Sequence, residues 1–238
     1  MKRHNPPRTV AKISDSGLKE YQRCPRRWAY KYLLRLDPDE DAWSLIYGNG
    51  MHTSLEWIHK GSTFKDAIDA GCAGLKKEGK GQETQDMFDM LPAMIEGYCT
   101  HFLPMFQTMW RSVEMEEWFE HYLDDFVQIR GKKDLRAESL SIPDHTALFD
   151  FKSTSYQGGG PLARQVHINV QLARYSTSHV RRFGSWPKEI GLIFLQKPKS
   201  KNMATVINGL KTNPSLYSMS SAPVNPAFAE FALALEQA

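Results

Sequence analysis

The feature that most constrains this chain is a change of period near residue 112. After it, residues 113–122, 126–135 and 147–152 read as three consecutive strands, with a turn at Ile142-Pro143-Asp144. A Gly-rich turn at 158–161 precedes a helix expected over 162–182. Residues 189–196 form a further strand, rich in β-branched and apolar side chains. Helices, three strands, a helix and a strand describe an α/β protein with a mixed central sheet flanked by helices.

Ahead of the change the spacing is helical. Ser14 or Ser16 caps a short helix that ends near Arg23, and Pro25 opens a second one through Trp28, Tyr32 and Leu36. After an acidic turn at 37–41, a longer helix carries His52 and Glu56. Residues 62–111 read as helices broken by glycines around 71–81 and by Pro92 and Pro104. Beyond Pro198 the chain is rich in Ser, Asn and Pro until a short helix at 226–236. One domain over 1–238 is expected, with a helical part and insertion at 14–111, a sheet core at 112–199 and a C-terminal extension at 200–238.

Charge is unevenly spread. Residues 1–36 carry ten Lys or Arg against two acids, and residues 83–125 carry ten acids against Arg111 alone. Such asymmetry suits a protein with one face turned to a polyanion. Arg26 and Arg27, with Arg23 and Lys31, are candidate phosphate contacts on a basic helix, or else a solvated face. The three cysteines, Cys24, Cys72 and Cys99, form no C-x-x-C pair, which argues against a zinc ribbon or disulfide framework. No apolar run nears the roughly 20 residues of a membrane span. The basic, Pro-rich start lacks the apolar stretch of a secretory signal, leaving the cytoplasm as the expected compartment.

The chemistry concentrates at the end of the third strand. Side chains alternate along a strand, so Asp150 and Lys152 share one face with Phe151 behind them. Asp134 lies on the preceding strand, and a hairpin brings it beside Asp150. Two carboxylates converging from neighbouring strands make an oxygen-rich site that suits Mg²⁺ or Mn²⁺. Glu116 and Glu117 on the first strand either face this site or sit on a solvated edge. No G-x-x-x-x-G-K-[ST] run is present, so the chain is not itself a helicase or ATPase, and a small-molecule α/β enzyme is disfavoured because there is no Gly-rich phosphate loop after a strand and no nucleophile elbow.

In chain order, further segments complete a pattern. Residues 14–25, SDSGLKEYQRCP, fit S-x-S-x-L-x-x-Y-x-x-C-P, and Gly48-Asn49-Gly50-Met51-His52 fits G-x-x-x-H. Gly131-Lys132-Lys133-Asp134 fits G-x-x-D, Asp150-Phe151-Lys152 fits D-x-K, and Gln171-Leu172-Ala173-Arg174-Tyr175 fits Q-x-x-x-Y. Together they resemble the PD-(D/E)XK nuclease superfamily, in particular its RecB-like exonuclease branch. Lys133 departs from the pattern, since the residue before this aspartate is usually apolar. A one-residue slip there would turn the carboxylate away.

The resemblance implies a restriction-endonuclease-like core with a helical insertion. It implies a metal held by His52, Asp134, Asp150 and the Phe151 carbonyl, with Lys152 acting on the attacking water. Gln171 and Tyr175 would line the cleft and contact DNA. Some relatives hold an iron–sulfur cluster on the cysteine of the C-P motif and three near the C-terminus. No cysteine follows Cys99 here, so no cluster is expected. The expected activity is a metal-dependent DNA exonuclease in recombination, repair or DNA processing, with a phage origin and host cytoplasm in view. A structure-specific endonuclease and a DNA-binding module without catalysis are the alternatives. DNA is the expected partner, a membrane is not, and the resemblance admits a recombination partner protein and a homo-oligomer.

Overall fold

A computed structural model describes residues 11–36, 43–78, 82–122, 127–155, 159–200 and 202–237. The basic residues 1–10, the expected acidic turn at 37–41, Gly79, Gly81, Phe126 and Gly158 lie outside that set. Among the described residues, six strands form one mixed sheet. Among the described residues no helix is long and apolar enough to cross a membrane.

The chain opens with β1 (Ala11–Ser14) and α1 (Asp15–Arg23), where Ser14 is the cap and its hydroxyl accepts from the Gly17 amide at 3.1 Å. Pro25 occupies the first turn of α2 (Pro25–Trp28), which runs on as a π-helical turn, Ala29–Leu33. Next come α3 (Trp43–His59), α4 (Phe64–Glu78), α5 (Gln82–Gly97), a second π-helical turn (Tyr98–Phe102) and α6 (Leu103–Met109). The helices part within the glycine-bearing stretch 71–81, between Glu78 and Gln82, but two expected breakers stand inside helices. Gly71 sits inside α4 because α3 crosses it closely: a Cβ there would lie 2.1 Å from Ser54 Oγ and 2.7 Å from the Gly50 carbonyl. Pro92 lies inside α5, where burial of Leu91, Ala93, Met94 and Ile95 outweighs one lost backbone bond.

The sheet strands are β2 (Trp110–Tyr122), β3 (Val127–Ser139), β4 (Thr146–Thr154), β5 (Glu189–Gln196) and β6 (Tyr217–Pro223). β2 runs antiparallel along one edge of β3. The other edge of β3 is shared: β1 pairs in parallel with residues 127–130, and β4 pairs antiparallel with residues 135–138. Residues 131–134 therefore have no ladder partner on that edge, and the sheet opens there. β4 and β5 are parallel, and β6 closes the far edge antiparallel to β5.

Helix α8 (Val170–Phe183) covers one face, where Leu172 and Tyr175 pack with Phe119, Ile129, Leu148 and Leu192. The helices α3 to α6, with α9 (Met203–Thr212), cover the other face, packing Leu55, Leu91 and Phe106 against Phe149 and Phe151. The single helix expected over 162–182 is three pieces: a short α7 (Pro161–Arg164), a 3-10 turn (Val166–Ile168) and α8 proper. Asn169 restarts the chain as N-cap, accepting from the Leu172 amide at 3.1 Å. The tail carries more structure than its composition suggests, namely α9, β6 and α10 (Pro226–Gln237).

Candidate metal and catalytic centre

The opening in the sheet at residues 131–134 is where the candidate residues gather. In a regular strand, residues three apart face opposite ways. On β3, however, Lys133 reaches Ser178 of α8 at 3.5 Å and Arg136 lies over the Phe183 ring of α8, so both face α8. On β2, Glu114 and Glu117 both meet Arg182 of α8. Both strands thus change phase together, at Asp134 and at Glu116, which lie opposite each other between the pairs Met115–Leu135 and Glu117–Lys133. Glu116 takes a left-handed conformation, φ 51°, which costs a non-glycine residue about 1–3 kcal/mol. The shift turns both carboxylates away from α8, towards His52 on α3.

There the His52 Nδ1 lies 3.3 Å from Asp134 Oδ2 and 3.7 Å from Glu116 Oε1. One ligand atom from each of His52, Glu116 and Asp134 falls within 4.8 Å of the others. Asp134 is buried, and its Oδ2 also accepts the backbone N–H of Phe151 at 2.9 Å. Burial, then the charge of Asp150, raises the Asp134 pKa to about 8, against the opposing pull of His52 and the Phe151 amide. Burial disfavours a charged His52, yet Asp134, Glu116 and Asp150 outweigh it and hold the imidazole above its usual value. Glu116 is likewise opposed by burial but held below the usual range by His52 and Lys132, whose ammonium lies 3.1 Å away. A buried carboxylate pushed upward by its acidic neighbour marks a centre short of positive charge. One imidazole and several carboxylate oxygens fit a hard divalent cation there.

Asp150 and Lys152 share a face of β4, with the Phe151 ring buried in the core behind them. Asp150 is 1% exposed; its Oδ2 lies 2.5 Å from Lys152 Nζ, and its Oδ1 accepts from Gln171 Nε2 at 2.9 Å and Tyr175 Oη at 3.2 Å. The Gln171 amide closes the circuit, accepting from Lys152 Nζ at 3.2 Å and donating to Tyr175 at 2.8 Å. Desolvation works against the Lys152 ammonium, but Asp150 outweighs it and raises its pKa. Lys152 is a cation, not a free base.

The residues singled out from sequence therefore form two adjoining groups. His52 and Asp134 sit with Glu116; Asp150 sits with Lys152, Gln171 and Tyr175. Gln171 and Tyr175 are tied to Asp150 as well as lining the adjacent cavity. Arg26 and Arg27 stand apart on exposed α2, Arg26 bonded to Tyr30 and Arg27 paired with Glu20, and neither lines that cavity. Glu116 and Glu117, left open by the sequence, divide: Glu116 joins the metal-ready trio, and Glu117 is buried against Lys133 at 2.7 Å. Strand alternation could tell the two glutamates apart but not which one the phase shift turns inward. Lys133, 0% exposed, fills the expected apolar slot as a buried ion pair, so no slip of register is needed to seat Asp134.

A two-sided mixed sheet, with a His–Glu–Asp trio and an Asp–x–Lys pair meeting at an opening along one strand, defines an α/β protein with an acidic centre whose side chains could hold a metal ion. The profile of the PD-(D/E)XK nuclease superfamily matches residues 12–236, and the chain belongs to that superfamily. Its sheet flanked by helices is the restriction-endonuclease-like core expected from the motifs. Membership makes the chain a hydrolase of phosphodiester bonds in nucleic acid, of a family that works with divalent metals. No curated protein matches the sequence. A solved structure titled "Crystal structure of SSO0001" aligns over 94% of this chain and 84% of that one, at 11% identity and a TM-score of 0.33, too loose a likeness to carry an argument.

Proposed function

We propose that the chain is a Mg²⁺- or Mn²⁺-dependent DNA exonuclease of the RecB-like branch, built as one nuclease domain and acting in recombination, repair or DNA processing. The observation that carries this reading is the Asp150–Lys152 pair, bridged by Gln171 and set beside the His52–Glu116–Asp134 trio. In this reading His52, Glu116, Asp134 and Asp150, with the Phe151 carbonyl, hold the cation. A divalent ion supplies the Lewis acidity that lowers the pKa of water and offsets charge gathering on phosphorus.

The chain's own residues do the rest. Lys152 presents its ammonium where negative charge grows as the phosphorus is attacked, a contribution of about 10²–10³ in rate for one well-placed donor. Asp150 holds that ammonium in place, and Gln171 fixes the geometry of both. Tyr175, whose phenol is held far above its usual pKa by burial and then by Asp150, stays a neutral donor to Asp150 Oδ1. Glu116 holds His52, His52 meets Asp134, and the Phe151 amide fixes the Asp134 rotamer.

The test is incubation of labelled linear and circular DNA with the protein in Mg²⁺, Mn²⁺ or EDTA. Metal-dependent loss of linear DNA, with circles intact, is the expected result. Nicking of circles would make it an endonuclease, and binding without cleavage in either metal would make it an inactive module.

A further inference from the structure

Beside the Asp150–Lys152 pair, and lined in part by Gln171 and Tyr175, lies a cavity of about 360 Å³. Ser14, Ser16 and Lys19 of the first strand and helix form one wall, Lys132 of the open segment of β3 a second, and Gln171 and Arg174 of α8 a third. Three cationic side chains and the hydroxyl-bearing Ser14, Ser16 and Tyr175 line this space beside the Phe119 ring, and among the described residues no carboxylate lines it. The cavity exists because β1 ends at residue 14 and β4 begins pairing only at residue 135, leaving residues 131–134 without a strand partner along that edge of β3. It shares a wall with the catalytic pair: the Gln171 amide that lines it is the one that accepts from Lys152 and donates to Asp150.

We propose that this cavity binds a phosphate of the DNA strand being cut, next to the scissile phosphate, with Lys19 as a direct contact. The assignment rests on the nuclease reading for its substrate, and it adds the subsite that holds the strand in register. A phosphate suits this seat because cationic and hydroxyl donors converge on it from three elements, and charge-assisted bonds to such an anion are the strong ones. The electrostatics agree. Lys19 is held below its ordinary value by partial desolvation and then by the positive charge of Lys152, against the pull of Asp150, and an anion seated beside Lys19 in the cavity relieves it. Lys132 is anchored from the other side by Glu116 at 3.1 Å, so the subsite and the metal-ready trio are joined through one side chain.

The experiment is fluorescence anisotropy in EDTA, using short duplexes with 5′-phosphate, 3′-phosphate or hydroxyl ends, together with a circular single strand. Wild type, Lys19→Ala and Lys19→Arg are compared; Lys19 is exposed, so neither substitution disturbs the core. Lys19→Ala should bind about tenfold more weakly and lose about one from the slope of log affinity against log salt, while Lys19→Arg stays close to wild type. A terminal phosphate in the cavity predicts that wild type prefers one phosphorylated end and that Lys19→Ala erases the preference. An internal phosphodiester predicts an equal loss on every probe, circle included. Wild-type affinity and salt slope in Lys19→Ala on all probes would overturn the assignment. Adding Mg²⁺ to the same samples separates the two readings. Cleavage with no Lys19 effect on binding removes the subsite and keeps the nuclease; a Lys19 effect on binding without cleavage removes the nuclease and keeps the subsite.

Discussion

The carboxylate of Asp134 on β3 accepts the backbone N–H of Phe151 on β4 at 2.9 Å, taking the place of a ladder bond where the two strands part. One side chain thus serves the fold and the candidate metal centre together, and substitutions separate the two duties. Asp134→Asn keeps an acceptor for the Phe151 amide but removes the charge. Asp134→Ala leaves a buried N–H unpaired and should be less stable than the Asn variant by about 1–3 kcal/mol. Both should lose Mn²⁺ binding by calorimetry. The raised pKa adds a pH signature. Between about 3.8 and about 8 the folded protein holds a proton that the unfolded chain has released, so this group's stabilising contribution fades as pH rises through 8. In EDTA, the urea midpoint of wild type should therefore fall relative to Asp134→Asn between pH 6 and pH 9. Parallel midpoints would contradict a carboxylate strained by burial and by Asp150.

The buried pair Lys133–Glu117 makes a stability prediction independent of any metal. Glu117→Leu leaves the Lys133 ammonium, 0% exposed, without its carboxylate partner and should cost about 3–5 kcal/mol in urea denaturation. The double variant Glu117→Leu/Lys133→Met should regain most of that loss, because two apolar side chains of similar volume replace two desolvated charges. A double variant as unstable as the single one would show that the slot needs the ion pair.

Two histidines are held neutral. Burial pushes His59 down to about 4 as it bonds Ser112 Oγ and Tyr98 Oη, each at 2.7 Å. His179 is pushed down to about 4 by burial and then by Lys133, Arg136 and Arg182. A depressed histidine contributes stability that is full above its unfolded value of 6.5 and is lost as pH falls towards 4, because the unfolded chain protonates first. Each ring should withdraw about 3 kcal/mol at the full extent. Between pH 7.5 and pH 5 the wild-type urea midpoint should drop more than that of His59→Gln/His179→Gln. Equal drops would show that the two rings charge freely in the fold.

Much of this architecture was legible from residue types. Strand patterning placed β2, β3 and β4, β-branched and apolar content placed β5, and the Ser14 cap, Pro25 and the helix carrying His52 all fell where the spacing put them. Three features lay beyond a local reading. Pro92 and Gly71 are helix breakers by propensity, and only tertiary packing keeps them inside helices. β6 is a Ser-rich edge strand whose pairing comes from β5 rather than from its own side chains. The paired phase shift at Glu116 and Asp134 is the third: a strict period of two would send Asp134 to the face of Lys132 and Arg136, and only contacts with α3 and α8 reveal the turn. That shift brings Glu116 to the trio and lets Lys133 stand where an apolar residue was expected.

The reading is tested most directly by single-turnover cleavage of end-labelled linear DNA in Mg²⁺, comparing wild type with Asp150→Ala and Lys152→Ala. The wild type should degrade the strand and both variants should fail to, while each binds DNA in EDTA nearly as well as the parent. Wild-type cleavage rates in either variant would contradict the assignment of this strand end as the catalytic centre.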